Sequence, residues 1–266
     1  MSEIGAAGSS GDNEKDPMPT MGFLDHLEEL RRRIVYSIAA VAVGFFACWW
    51  KVERIYDVMQ RPIMDALKAN GLAEKLVYLN PTEPFNLYLK IAALAGLFLT
   101  SPFVLYQVWM FISPGLYRNE KRYVIPFMVS TIALFTAGGY FGYKIVYPAA
   151  LNFLIAFGKQ FQPMITIGEY TSLFLSIILG MGLIFEMPIL VFFLSLMGII
   201  SAGFMWKNFR YSILVIFIIA AIVTPTTDIL NMCIFAAPMI ALYAISIGVA
   251  WLVHPKQRKA RREKQA

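Results

Sequence analysis

Apolar residues arrive in six long runs, at 34–50, 91–110, 123–147, 173–199, 211–223 and 229–253, separated by shorter polar stretches. A hydrocarbon core of about 30 Å takes about 20 apolar residues in a helix that satisfies its own backbone hydrogen bonds. The pattern predicts an all-α, polytopic membrane protein with six transmembrane helices. The fifth run ends at Thr224-Pro225 and reaches only roughly 20 Å at the rise of an α-helix, so the bilayer beside it should thin. Pro102, Pro126, Pro188 and Pro238 fall inside four other runs. Each removes a backbone donor and bends its helix, so a curved bundle is expected. Gly138 with Gly142, and Ser172 with Ser176 and Gly180, recur at four-residue spacing and supply faces for close helix contact.

Composition sharpens this picture. The chain is 58% hydrophobic, with mean hydropathy +0.61 and only 15% charged residues, where soluble domains carry about 25%. Placing the N-terminus, the 118–122 and 200–210 loops and the C-terminus on one side gathers 15 of the 23 Lys and Arg residues there. Six of the other eight lie in the 51–90 region, read as a long loop that also carries five acids. By the positive-inside rule both termini face the cytoplasm. Residues 1–22 form a polar, Gly/Ser-rich tail expected to be disordered, with no apolar segment of a cleaved signal peptide. Residues 23–254 form the membrane domain and 255–266 a basic cytoplasmic tail. The net charge of +6 fits anchoring to anionic lipid by Arg31, Arg32, Arg33 and the KQRKARREK tail; no nucleic-acid-reading motif is present. Cys48 and Cys233 lie inside apolar runs without ligand spacing and read as packing residues, so no metal or cofactor is expected.

Two sets of polar residues need a reason. Glu186, in LIFEMPIL, stands near the middle of the fourth run, where a carboxylate costs about 2.5–3.5 kcal/mol. It is either hydrogen-bonded glue between helices or the lining of a polar cavity, which the Pro188 bend helps to expose. Before the first run, FLDHLEELRRRI sets Phe23, Leu24, Leu27, Leu30 and Ile34 on one helical face, predicting a short amphipathic helix at 23–33 along the membrane surface. Its polar face offers Asp25, Glu28 and Glu29. Glu120, in LYRNEKR, is the acid of the next cytoplasmic loop. Local charge balance with Arg118, Lys121 and Arg31–Arg33 is the simplest reading of these acids, worth little at a wet surface.

Four pieces in sequence, HLEELRRRI, SPFVLYQVWMFISPGLYRNEKR, FEMP and TPTTD, resemble TatC, the signal-reading subunit of the twin-arginine protein translocase. The resemblance implies kinked helices forming a concave, cupped bundle in the bacterial inner membrane. It implies binding of Arg-Arg signal peptides of folded precursors, recruitment of the single-span subunits TatA and TatB, self-association within that complex, and export driven by the proton-motive force. The signal's arginines would meet Glu29 and Glu120, flanked by Phe111, with Glu28 able to share the load. Guanidinium forks bind carboxylates bidentately and Lys does not, a physical reason for Arg-Arg over Lys-Lys. Glu186 would face the concavity and ease the entry of water or polar chain. Asp228, Thr224 and Asn231 would mark the docking place of TatA or TatB. Here the chain departs from the family pattern: TPTTD replaces a shorter TPPD-like turn, and Met232 stands where a glutamine is usual, which leaves Asn231 or Thr224 to supply the polar contact.

The competing class is a proton-coupled secondary transporter of a small solute with Glu186 at its centre, but no internal repeat relates 23–147 to 148–253. An enzyme is disfavoured, because His26 and His254 lack partners at catalytic spacing and read as interfacial residues.

Overall fold

The computed structural model describes residues 23–73, 75–112, 124–158, 160, 161, 164–224 and 229–263, without the side chains of 23, 24, 112, 124 and 253–263. Ten α-helices follow one another among these residues: α1 (Phe23–Trp49), α2 (Val52–Ala69), α3 (Glu83–Ile112), α4 (Val124–Phe141), α5 (Tyr147–Phe157), α6 (Ile167–Ile184), α7 (Met187–Leu196), α8 (Ala202–Lys207), α9 (Phe209–Val223) and α10 (Ile229–Glu263). The described residues hold no strand, only an isolated parallel bridge between Val77 and Thr166. Among the described residues five segments are long and apolar enough to cross a membrane: Asp25–Trp49, Glu83–Phe111, Ile125–Phe157, Ile167–Leu196 and Ile229–Leu252. The sixth apolar helix, Phe209–Val223, is shorter, as the proline at its end predicts.

Several elements differ from the sequence reading. The amphipathic stretch before the first run is not a separate helix; α1 passes through it and into the span without a break. The third span continues to Phe157 through a π-helical turn, Gly142–Val146. The fourth is cut in two at Phe185 and Glu186. There Pro188 lacks the N–H that would bond the carbonyl of Ile184, and its ring crowds that carbonyl, so the helix restarts rather than continues. The last helix runs on to Glu263, through most of the basic tail.

The largest departure is α2, which occupies part of the region read as loop. Val52, Met59, Ile63, Ala66 and Leu67 are its buried residues, a stripe at helical spacing that packs on α3 and α5. Two hydrogen bonds fasten it to the bundle. Tyr143 Oη donates to the Val58 carbonyl at 2.7 Å and Tyr170 Oη to the Met59 carbonyl at 2.8 Å. The segment after α2 is held too, with Val77 N–H donating to Ile165 O at 3.0 Å and Ile167 N–H to Val77 O at 2.8 Å. Gly71 ends α2 and Gly198 ends α7, both at positive φ. In each case the two following N–H groups close the six-to-one and five-to-two bonds of a Schellman cap, Leu72 to Leu67 and Gly71 to Lys68 in the first, a geometry that favours glycine.

Close helix contact rests on small residues. A Cβ on Gly138 would stand 2.5 Å from Met181 O, and one on Gly142 3.3 Å from Ile177 O, so this pair seats α4 and the π-turn on α6. A Cβ on Gly180 would meet Val223 of α9 at 2.8 Å, whereas Ser172 is exposed and adds nothing to that face. Sequence spacing does not reveal a further close crossing, where α1 meets α3: a Cβ on Gly44 would lie 2.7 Å from Gly96 O, and one on Gly96 2.6 Å from Phe45 N.

Candidate functional site

Glu29 stands near the start of α1, on the side turned toward α3. Its side chain is only 10% exposed. Arg33, one helical turn on, donates through Nη2 to Glu29 Oε1 at 3.0 Å and through Nη1 to Gln107 Oε1 of α3 at 2.8 Å. Gln107 is buried within an apolar span, where an amide needs such a partner. The acid, the guanidinium and the amide thus tie α1 to α3. Among the described residues, the second carboxylate oxygen, Oε2, and Arg33 Nε are buried with no hydrogen-bond partner. A buried oxygen left so costs about 1–3 kcal/mol, a cost that an incoming donor would relieve.

Phe111 lies at the same end of the bundle, its ring stacked on that of His26 with centroids 4.3 Å apart and planes 13° from parallel. Two residues earlier Trp109 is buried, and its Nε1 donates to Thr131 Oγ1 of α4 at 3.0 Å. It stacks on Phe127 and meets Phe193 of α7 edge-on. This aromatic cluster fixes the end of α3 and hence Phe111. Asp25, Glu28, Glu29, Arg31 and Arg32 share an open concavity at the surface here with Val35 and Tyr36. Glu28 is exposed while Glu29 is turned inward. Glu120, the second expected signal contact, lies outside the described residues.

Glu186 caps the break between α6 and α7 without a side-chain capping bond. It is 8% exposed, and its Oε1 is buried with no partner among the described residues. Its backbone bridges the joint, its N–H donating to Leu183 O at 3.1 Å and its carbonyl accepting from Leu190 N at 3.0 Å.

Of the expected docking residues, Thr224 ends α9 with its hydroxyl turned back to Ala220 O at 2.8 Å. Asn231 is fully buried in the first turn of α10, and Asp228 lies outside the described residues. Both Thr224 and Asn231 are buried, so neither presents its side chain at the surface.

The residues missed by sequence reasoning are Gln107 and His26 as a platform for Phe111; from sequence Arg33 is expected among the cations balancing these acids at a wet surface, whereas it pairs with Glu29 with both side chains largely buried. Gln107 carried a usable signal, a polar side chain inside an apolar run, the same feature that singled out Glu186.

Comparison with known proteins identifies the family. Residues 25–238 match the family described as Sec-independent protein translocase protein (TatC). A relative from Koribacter versatilis carrying that name is 69% identical over 251 residues, covering 94% of this chain and 93% of its own. Others from Carboxydothermus hydrogenoformans and Aquifex aeolicus are 37% and 35% identical, covering 91% and 90% of this chain and 98% of each of their own. A crystal structure described as the twin arginine translocase receptor TatC superposes with a TM-score of 0.77 at 35% identity, covering 86% of this chain and 99% of that one. The chain belongs to the TatC family of Sec-independent protein translocase proteins, multi-pass membrane proteins of protein transport.

Proposed function

We propose that this chain is the receptor that reads Arg-Arg signal peptides of folded precursors, with Glu29 and Glu120 as the carboxylates and Phe111 beside them. The observation that carries this reading is the state of Glu29: largely buried, held in place by Arg33, and with one oxygen that no described group satisfies. A signal guanidinium offers donors in a fixed fork, and a lysine ammonium does not. In this reading both termini face the cytoplasm of a bacterial cell, the protein sits in the inner membrane, and signal binding occurs on the cytoplasmic face. Copies of the chain assemble with TatA and TatB, which dock where α9 turns into α10 around Asp228, and the proton-motive force drives export. Glu186 serves a later step, easing polar chain into the bilayer.

The test is binding of an Arg-Arg signal peptide and its Lys-Lys twin to lipid-embedded protein, comparing the wild type with Glu29→Ala and Glu120→Ala. The expected outcome is tighter Arg-Arg binding in the wild type and loss of that preference in both variants. Equal binding of the two peptides by intact, folded wild-type protein would contradict the reading.

A further inference from the structure

At the end of the bundle remote from Glu29, a groove of about 690 Å³ runs between α1, α2, α3, α4 and α6. Its walls are apolar, built by Met59, Leu94, Ala95, Phe98 and Ile178 among others. It opens sideways past Val58, Leu99 and Tyr140, which are exposed. Lys51 and Arg54 are its charged lining residues, and both are exposed. The same two cations also line an adjoining concavity of about 540 Å³ with Trp49, Trp50, Glu53 and Tyr88. Among the described residues neither Lys51 nor Arg54 forms an ion pair with a carboxylate. Glu53 offsets one of the charges and leaves the cup net positive.

This juxtaposition has a chemistry. A cationic cup rimmed by Trp and Tyr is what a membrane–water interface selects, and its Lys and Arg offer charge-assisted hydrogen bonds to a lipid phosphate. The apolar groove beneath is of small-ligand size, about 300–1,000 Å³, and lies against bilayer hydrocarbon rather than water. A spanning helix, about 10–12 Å across with its side chains, is a poorer match to it than acyl chains. We infer that the two concavities together bind an anionic phospholipid, with its phosphate on Lys51 and Arg54 and its acyl chains against Leu94, Ala95, Phe98 and Ile178. This site is independent of signal reading and uses none of its residues.

Native mass spectrometry of the full chain in detergent tests it, by titration with dioleoyl phosphatidylglycerol, phosphatidylcholine and phosphatidylethanolamine. The wild type should prefer phosphatidylglycerol by about tenfold. The double substitution Lys51→Gln with Arg54→Gln should bring that lipid to the level of phosphatidylcholine, while Ala95→Trp, which fills the groove, should weaken all three. Unfolding midpoints check that each variant is folded; if Ala95→Trp does not fold, Leu99→Trp at the groove mouth replaces it. The inference is overturned by equal binding of all lipids to the wild type, by a preference that survives loss of both cations, or by phosphatidylethanolamine matching phosphatidylglycerol, which would assign the cup to an ammonium on Glu53. Unchanged binding in the groove-filling variant, or exclusion of lipid by a hydrophobic peptide helix that binds there more tightly, also overturns it.

Discussion

The two ends of the bundle treat their polar side chains differently. At the α2 end the polar side chains are neutral and two of them are answered by backbone, Tyr143 by Val58 O and Tyr170 by Met59 O, with the Val77 and Thr166 segments bridged beside them, while the hydroxyl of Tyr147 is buried without a hydrogen-bond partner among the described residues. At the Glu29 end a carboxylate, a guanidinium and an amide are drawn together, yet Glu29 Oε2 and Arg33 Nε stay unanswered among the described residues. Hydrogen bonds that are complete add rigidity, whereas a buried network left partly open sacrifices stability and keeps a place for a guest. The difference is one of charge: the open groups at the Glu29 end are a carboxylate oxygen and a guanidinium nitrogen, those at the α2 end a neutral phenol.

Glu29→Ala should break the contrast most. It removes the acceptor, and loss of one partner of a desolvated charged pair costs about 2–5 kcal/mol of binding. The affinity for an Arg-Arg peptide should fall by that amount, and the unfolding midpoint should fall as well because Arg33 is left buried without its carboxylate; calorimetry and thermal melts on one preparation check both. Tyr170→Phe should separate the two effects. It removes one of the side-chain bonds that hold α2, while the Met59 carbonyl keeps its helical bond from Ile63 N–H, so stability should drop by about 0.5–1.5 kcal/mol with peptide affinity unchanged, and amide exchange in α2 should quicken. Gln107→Leu leaves Glu29 in place but frees Arg33 to turn toward it, and should weaken peptide binding by about 1 kcal/mol, visible in the same calorimetric series. Glu28→Ala, on the exposed side of the helix, should cost about 0–1 kcal/mol, and that loss should shrink as salt rises. Glu186→Ala should leave peptide affinity alone and lower transport of a precursor in reconstituted vesicles; a lost affinity in that variant, with the fold intact, would place Glu186 in the signal site.

How much of this was legible beforehand depended on the physical signal each feature leaves in the chain. The spanning helices announce themselves because a bilayer tolerates little else, and Pro188 marks the α6–α7 break because a missing N–H leaves a local trace. The α2 helix was present as the Val52, Met59, Ile63, Ala66 and Leu67 stripe, but its other face carries Glu53, Arg54, Asp57, Arg61, Asp65 and Lys68, which lowers its hydropathy to that of a loop. Gly44 and Gly96 were invisible for a different reason: their contact joins two helices, and spacing within one helix cannot report it. Glu29 could be singled out as an acid on a basic surface. That it is turned inward and half answered depends on Arg33 and Gln107, and the Gln107 contact exists only once α1 lies against α3.

The most direct test of the claim that Glu29 receives a guanidinium is a double-mutant cycle. Binding constants are measured for wild type and Glu29→Gln, each with the Arg-Arg peptide and with peptides carrying Lys at one or the other arginine. A direct contact should give a coupling of about 1.5 kcal/mol or more for one of the two arginines, so that Lys at that position costs affinity in the wild type and little in Glu29→Gln. Additive losses at both positions would mean that Glu29 only fastens α1 to α3 and that the signal is read elsewhere.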